Sequence, residues 1–247
     1  MAPGWLTARP VAHRGLHDAG AGVIENTATA FNAAIANDFA IECDLQITAD
    51  GEAVVYHDHV LGRLTEGDAP LRTKTAAELK AVVFRNTPDR MMTLEELLAL
   101  VDGRVPLFLE MKSRFDGDMR LPRRLTEITR GYRGAFGAMS FDPAQVEEIR
   151  RIAPEITRGI VAERWYVHQE WAGLSSFDKQ VLGHLLHAPR TRPQFVNYAV
   201  KDLPAAAPLI ARYLFGVPLL VWTVRTEADR EKARRWANQI VFEGFRP

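Results

Sequence analysis

Ala40-Ile41-Glu42-Cys43-Asp44-Leu45-Gln46-Ile47-Thr48 is the stretch on which the fold is decided. Ile41, Cys43, Leu45 and Ile47 fall on one face of an extended chain, and Glu42, Asp44 and Gln46 on the other. That is the period-two alternation of a β-strand. A half-buried strand ordinarily turns its polar face to water. Here the chain runs on through the turn Ala49-Asp50-Gly51 into a second apolar run, Ala53-Val54-Val55-Tyr56-His57-Asp58. Two carboxylates one pleat apart, followed by a histidine, suit a small site holding a hard cation and a proton-transfer group.

Taken alone, such a pair is most simply the wet face of a strand. Two further segments repeat the pattern. Val105-Pro106-Leu107-Phe108-Leu109-Glu110-Met111-Lys112 is apolar, with Glu110 and Lys112 on one face near its end, and Pro10-Val11-Ala12-His13-Arg14-Gly15 ends in a histidine and an arginine. Three strands that deliver ionisable groups near their C-terminal ends point to one convergent site.

Outward from these strands, the chain reads as alternating strand and helix. Helical patterns cover 28–37, 75–84, 94–101, 117–130, 143–152, 205–215 and 227–237, and a helical part near 177–187 lies in the aromatic-rich segment 163–190. Thr75 with Glu78, and Thr93 with Glu96, are spaced as capping boxes. Strand patterns cover 134–140, 156–162, 195–200, 217–224 and 239–242. About eight strands separated mainly by helices, in 247 residues, predict a closed (β/α)8 TIM barrel. The open doubly wound alternative lacks its Gly-x-Gly-x-x-Gly turn after the first strand. One domain spanning 1–247, with a short insertion at about 58–92, is expected. In a barrel all strand ends meet at one mouth, so His13, Glu42, Asp44, His57, Glu110, Lys112 and Trp222 would converge.

Composition narrows the partners. Lys and Arg total 31 against 31 Asp and Glu, so there is no basic footprint for nucleic acid. No apolar run approaches the roughly 20 residues of a membrane span, and Met1-Ala2-Pro3-Gly4-Trp5-Leu6 has no basic region or apolar core of a signal peptide. A cytoplasmic protein without stable membrane insertion is the expectation. The single cysteine, Cys43, lies on the apolar strand face and reads as a small buried hydrophobe. His168, His184 and His187 read as surface groups.

His13-Arg14-Gly15, Glu25-Asn26-Thr27, Glu42-x-Asp44, Asp50-Gly51, His57-Asp58, Leu61-x-Arg63-x-Thr65, Thr93-Leu94-Glu95-Glu96, Glu110-x-Lys112, Ser140-Phe141 and Trp222-Thr223-Val224 occur in that order. In this the chain resembles the glycerophosphodiester phosphodiesterases over almost its whole length. The resemblance implies a (β/α)8 barrel that hydrolyses glycerophosphodiesters to glycerol 3-phosphate and an alcohol with a divalent cation. It also implies Glu42, Asp44 and Glu110 as metal ligands, His13 and His57 as the acid/base pair, Arg14 and Lys112 at the phosphate, and Trp222 beside the glycerol. The chain departs from the family pattern at Ile24, where a proline often stands. It departs again at the tail Val241-Phe242-Glu243-Gly244-Phe245-Arg246-Pro247, which replaces a hydrophobic-Thr-Asp-x-Pro ending.

The residues by themselves allow the same chemistry. Three carboxylates without a cysteine or histidine cluster suit Mg2+ or Ca2+, and two histidines can divide the proton work. His59 is a rival for any histidine role. Lys112 as a Schiff-base lysine is an alternative that Glu110, two residues before it, disfavours. Two other functions stay open here. A lysophospholipase D-like enzyme would use Trp165, Tyr166 and Trp171 as an apolar rim, and a barrel that binds phosphorylated ligands without cleaving them would have no need of two histidines.

Overall fold

A computed structural model describes residues 2–247. Nine strands form one sheet: β1 Val11–Ala12, β2 Ala40–Ile47, β3 Ala53–Val55, β4 Leu107–Met111, β5 Phe136–Ser140, β6 Thr157–Ala162, β7 Phe195–Ala199, β8 Leu219–Val224 and β9 Gln239–Phe242. Eight of them pair in parallel, in the order β1-β2-β4-β5-β6-β7-β8-β9, and β9 pairs back to β1. The sheet is a closed (β/α)8 barrel. β3 does not join it. It pairs antiparallel with β2, Leu45 opposite Val55, because the Ala49-Asp50-Gly51 turn folds the chain straight back.

The helices α1 Ala28–Ala36, α2 Ala76–Ala81, α3 Leu94–Val101, α4 Arg120–Thr129, α5 Pro143–Ile152, α6 Ser176–Gly183, α7 Ala188–Thr191, α8 Ala206–Tyr213 and α9 Glu227–Trp236 complete the order. Both expected capping boxes are formed. The segment 58–92 holds α2 over a small apolar cluster that includes Tyr56, Leu61, Leu71, Leu79 and Phe84. No helix among the described residues is long and apolar enough to cross a membrane.

Strand alternation divides the barrel interior into layers. Val11, Ala40, Phe108, Met139, Val161, Phe195, Leu220 and Val241, one from each barrel strand, pack together with Leu6. This is the floor, closed by Leu6 and Trp5 of the 3-10 turn Gly4–Thr7. Trp5, Phe108 and Phe195 stack in tilted and edge contacts at 5.5 and 5.6 Å. Outward-facing Ile41, Cys43, Leu45, Leu107 and Leu109 meet the helices instead.

Gly159 makes room for that floor: a Cβ there would lie 2.3 Å from the Phe195 ring. Since Phe195 is fully buried, Gly159→Ala is expected to destabilise the fold by about 1–3 kcal/mol, read as a lowered urea midpoint with the slope unchanged.

For the segment 163–190 one alternative is disfavoured and one expectation is corrected. Tyr166 and Trp171 are buried against Phe141 and Leu182, so they form no exposed rim, and Trp165 alone of the three is exposed. The Trp171 indole is drawn inward: its Nε1 donates to the buried Glu163 at 2.7 Å, and Lys201 pairs with the same carboxylate at 2.9 Å.

His187 is buried and not a surface group; His168 and His184 are exposed. Burial, with Arg190 nearby, pulls the His187 pKa from 6.5 down to about 4. Between these two values the unfolded chain carries a proton that the folded chain lacks, so stability falls as pH falls through that window, by up to about 1.4 kcal/mol per unit. Denaturant midpoints at pH 7 and 4.5 should therefore differ more in the wild type than in His187→Gln.

Candidate active site

Two residues beyond each floor residue, the same inward face carries His13, Glu42, Glu110, Phe141, Glu163, Asn197, Trp222 and Glu243. One further step adds Asp44 and Lys112. A cavity of about 200 Å³ opens over this ring, lined by His13, Arg14, Glu42, Asp44, His57, Glu110, Lys112, Phe141, Val161, Glu170, Asn197 and Trp222. All eight residues singled out from the sequence thus meet at one place.

The carboxylates of Glu42, Asp44 and Glu110 are buried, and one oxygen from each lies within 4.8 Å of the others. Burial pushes the Glu42 carboxyl well above its usual range, and the charges of Asp44 and Glu110 push it further. Burial would raise Asp44 too, but His57, Arg14, Lys112 and a hydrogen bond from Asn26 outweigh it and hold this carboxyl low. Three crowded acids of hard oxygen donors, one of them reluctant to ionise, fit a divalent cation of the Mg2+ or Ca2+ kind.

Arg14 and Lys112 border the same acids. Lys112 Nζ is 2.9 Å from Glu110 and 3.5 Å from Asp44. Arg14 donates its backbone N–H to Glu42 at 3.0 Å and Nη1 to Glu25 at 2.6 Å. Its Nε lies 3.3 Å from Asp44 without the alignment of a hydrogen bond, so that contact is Coulombic. Burial opposes charge on both cations, yet Asp44 with Glu25 and Glu42 on Arg14, and Glu110 with Asp44 on Lys112, keep them protonated.

The local backbone is bent to achieve this. Arg14 has φ +55°, a left-handed conformation costing about 1–2 kcal/mol for a non-glycine residue. Gly15 follows at φ +81°, where a Cβ would press on Ala30 and Phe31 at 3.0 Å. Asn26 holds the turn, its N–H donating to the Arg14 carbonyl at 2.9 Å.

Each histidine is backed by a carboxylate on Nδ1: His13 by Glu243 at 2.8 Å, and His57 by Asp58 at 2.7 Å. Each carboxylate is clamped in turn by an arginine, Glu243 by Arg225 at 2.8 Å and Asp58 by Arg63 at 2.6 Å. An ionised carboxylate only accepts, so Nδ1 is the donor and Nε2 is left without the proton in the neutral ring. Burial pulls the His13 pKa down to about 4 against the hydrogen bond to Glu243. The Gln46 side-chain amide faces the carbonyls of Tyr56 and His57 at 3.2 and 3.0 Å and so fixes the His57 turn. His59 is not a rival within the cavity: its Nδ1 is engaged by Gln46 Oε1 at 3.0 Å, and it lines a separate hollow with Arg72 and Asp116.

The remaining wall is aromatic. Phe141 meets Trp222 edge-on at 5.5 Å, and Trp222 Nε1 donates to the Asn197 carbonyl at 3.1 Å. Glu243 and Asn197 were not singled out from the sequence. The signal that finds them is the ring itself: Val241 and Phe195 are floor residues, and each of these two lies two positions on.

Fold and cavity together define a class, a (β/α)8 barrel whose mouth gathers three acids, two cations and two carboxylate-backed histidines. A sequence profile of the Glycerophosphoryl diester phosphodiesterase family matches residues 13–244. A glycerophosphodiester phosphodiesterase from Caldanaerobacter subterraneus subsp. tengcongensis is 26% identical over 239 residues, covering 90% of this chain and 88% of its own. An Oleispira antarctica phosphodiesterase, solved in complex with the product sn-glycerol-3-phosphate, superposes with a TM-score of 0.77 at 19% identity, over 96% of this chain and 93% of that one. A glycerophosphodiester phosphodiesterase from Thermotoga maritima gives 0.70 at 23% identity, over 95% and 94%. The chain belongs to the glycerophosphoryl diester phosphodiesterase family and to its enzyme class.

Proposed function

We propose that the chain hydrolyses glycerophosphodiesters to glycerol 3-phosphate and an alcohol, with a divalent cation held by Glu42, Asp44 and Glu110 and with His13 and His57 sharing the proton transfers. The observation that carries this reading is the meeting, in one cavity, of three buried carboxylates within 4.8 Å of one another and two histidines each backed by a carboxylate. When bound, Mg2+ or Ca2+ supplies positive charge against the phosphoryl oxygens.

The protein's own groups do the rest. Arg14 and Lys112 face the phosphate and offset charge as it builds on phosphorus. One histidine accepts the nucleophile's proton at Nε2, and the other, protonated, gives one to the departing alkoxide. Asp58 and Glu243 keep each ring in the required tautomer and orientation. Trp222 and Phe141 offer an aromatic wall to the glycerol carbons.

A lysophospholipase D-like enzyme would want an apolar landing surface at the mouth, and the inward turn of Tyr166 and Trp171 speaks against it. A pure binder of phosphorylated ligands has no use for two carboxylate-backed histidines. Glycerol 3-phosphate release from glycerophosphocholine is expected to drop to background after chelation and to return with Mg2+ or Ca2+. Full activity in verified metal-free protein would remove the cation from the mechanism.

A further inference from the structure

Asn197 lines the cavity yet has no part in the chemistry above. It is buried, its Oδ1 has no hydrogen-bond partner, and its Nδ2 reaches only the Met139 thioether at 3.9 Å. A buried amide oxygen without a donor is costly, so a working state of the site that brings it a donor is favoured. On the closed sheet, β7 stands four strands from β2 in either direction, which puts Asn197 diametrically across the cavity from Glu42 and Asp44. The lining beside it on the strands and their ends, Phe141, Val161 and Trp222, is aromatic or aliphatic. Glu163, the neighbouring inward-facing residue, is engaged by Trp171 and Lys201, and Glu170 reaches the lining from a 3-10 turn, so among the described residues of β5 to β8 that line the cavity Asn197 is the one with a free polar acceptor.

We propose that Asn197 selects the glycerol end of the substrate by accepting a hydrogen bond from its terminal primary hydroxyl. The inference rests on the phosphodiesterase reading. With the phosphate beside Arg14 and Lys112, and the 2-hydroxyl held at a histidine, the terminal hydroxyl is the donor left to cross the cavity. An acyl ester at that carbon has no proton to give. Asn197 thereby also sets deacylated diesters apart from lysophospholipids.

The test compares sn-glycero-3-phosphocholine with the 1,2-propanediol phosphodiester of choline, which lacks only the terminal hydroxyl, on the wild type and on Asn197→Leu. The wild type should favour the natural compound by about 10- to 100-fold in kcat/KM. Asn197→Leu should lose that preference, falling by the same factor on the natural compound and little on the analogue. Equal use of both compounds by the wild type would overturn the assignment without recourse to any variant. So would a parallel loss on both in Asn197→Leu. Failure of the wild type to hydrolyse either compound, with Mg2+ or Ca2+ supplied, would instead refute the phosphodiesterase reading and this inference with it.

Discussion

A glycerophosphodiester that lacks the 2-hydroxyl should bind with nearly unchanged affinity and turn over at least about 10^4-fold more slowly than the natural compound. Among the described residues no serine, threonine or cysteine lines the cavity, so none of their hydroxyl or thiol side chains is placed to attack phosphorus. The proposed substrate carries a hydroxyl that can serve as nucleophile. Its 2-hydroxyl can close a five-membered cyclic phosphate, and well-oriented internal groups reach effective concentrations of roughly 10^5–10^8 M. His13 and His57, with Nε2 free of the Nδ1 carboxylate contacts, are suited to take that proton and to protonate the departing alcohol. Rapid-quench analysis of a slowed variant such as His57→Gln should show cyclic glycerol phosphate ahead of glycerol 3-phosphate. Hydrolysis of the deoxy compound at the natural rate would rule out internal attack and leave a histidine to activate water.

Glu42→Gln should cut turnover by at least about 100-fold, the scale of losing a major electrostatic stabiliser. The same change should leave the metal-free protein equally stable or more so. Glu42 is buried, and its carboxyl is raised by that burial and by Asp44 and Glu110, so an isosteric amide relieves a charge conflict. The amide oxygen still accepts from the Arg14 N–H, which now sits at 3.0 Å from Glu42 Oε2. Calorimetric titration with Mg2+ or Ca2+ should show weakened binding, and thermal scans in chelator should show a midpoint no lower than that of the wild type. Undiminished cation affinity together with full turnover would take Glu42 out of the site.

How much of this was legible follows from what alternation can reveal. Glu42 and Asp44 on an otherwise apolar strand, and Glu110 with Lys112, announce themselves because charge stands where a core face should be. Thr75 and Thr93 were readable as helix starts because a capping box is a local interaction. Glu243 was hidden by the unusual tail, since its meaning lies in His13, 230 positions away. Asn197 looked like an ordinary polar residue in a strand; only the barrel shows which of its faces is inside. His59 could not be set apart from His57 by spacing, because Gln46, from another strand, engages the one and props the other's turn. The segment 163–190 is hard to read for a related reason. Aromatic content does not say which way Tyr166 and Trp171 face; for Trp171 the Glu163 carboxylate, itself paired with Lys201, decides it.

The sealed floor of Trp5, Leu6, Phe108 and Phe195 makes the cavity a cul-de-sac. With that end of the barrel closed, space becomes sequence in time: the moiety lodged nearest the floor enters first and departs last. With the glycerol phosphate half held as proposed against the acids and Asn197, a cleaved diester should shed its outer alcohol before the phosphate-bearing fragment escapes. Added glycerol 3-phosphate should accordingly compete with substrate for the empty protein, whereas the free alcohol should not.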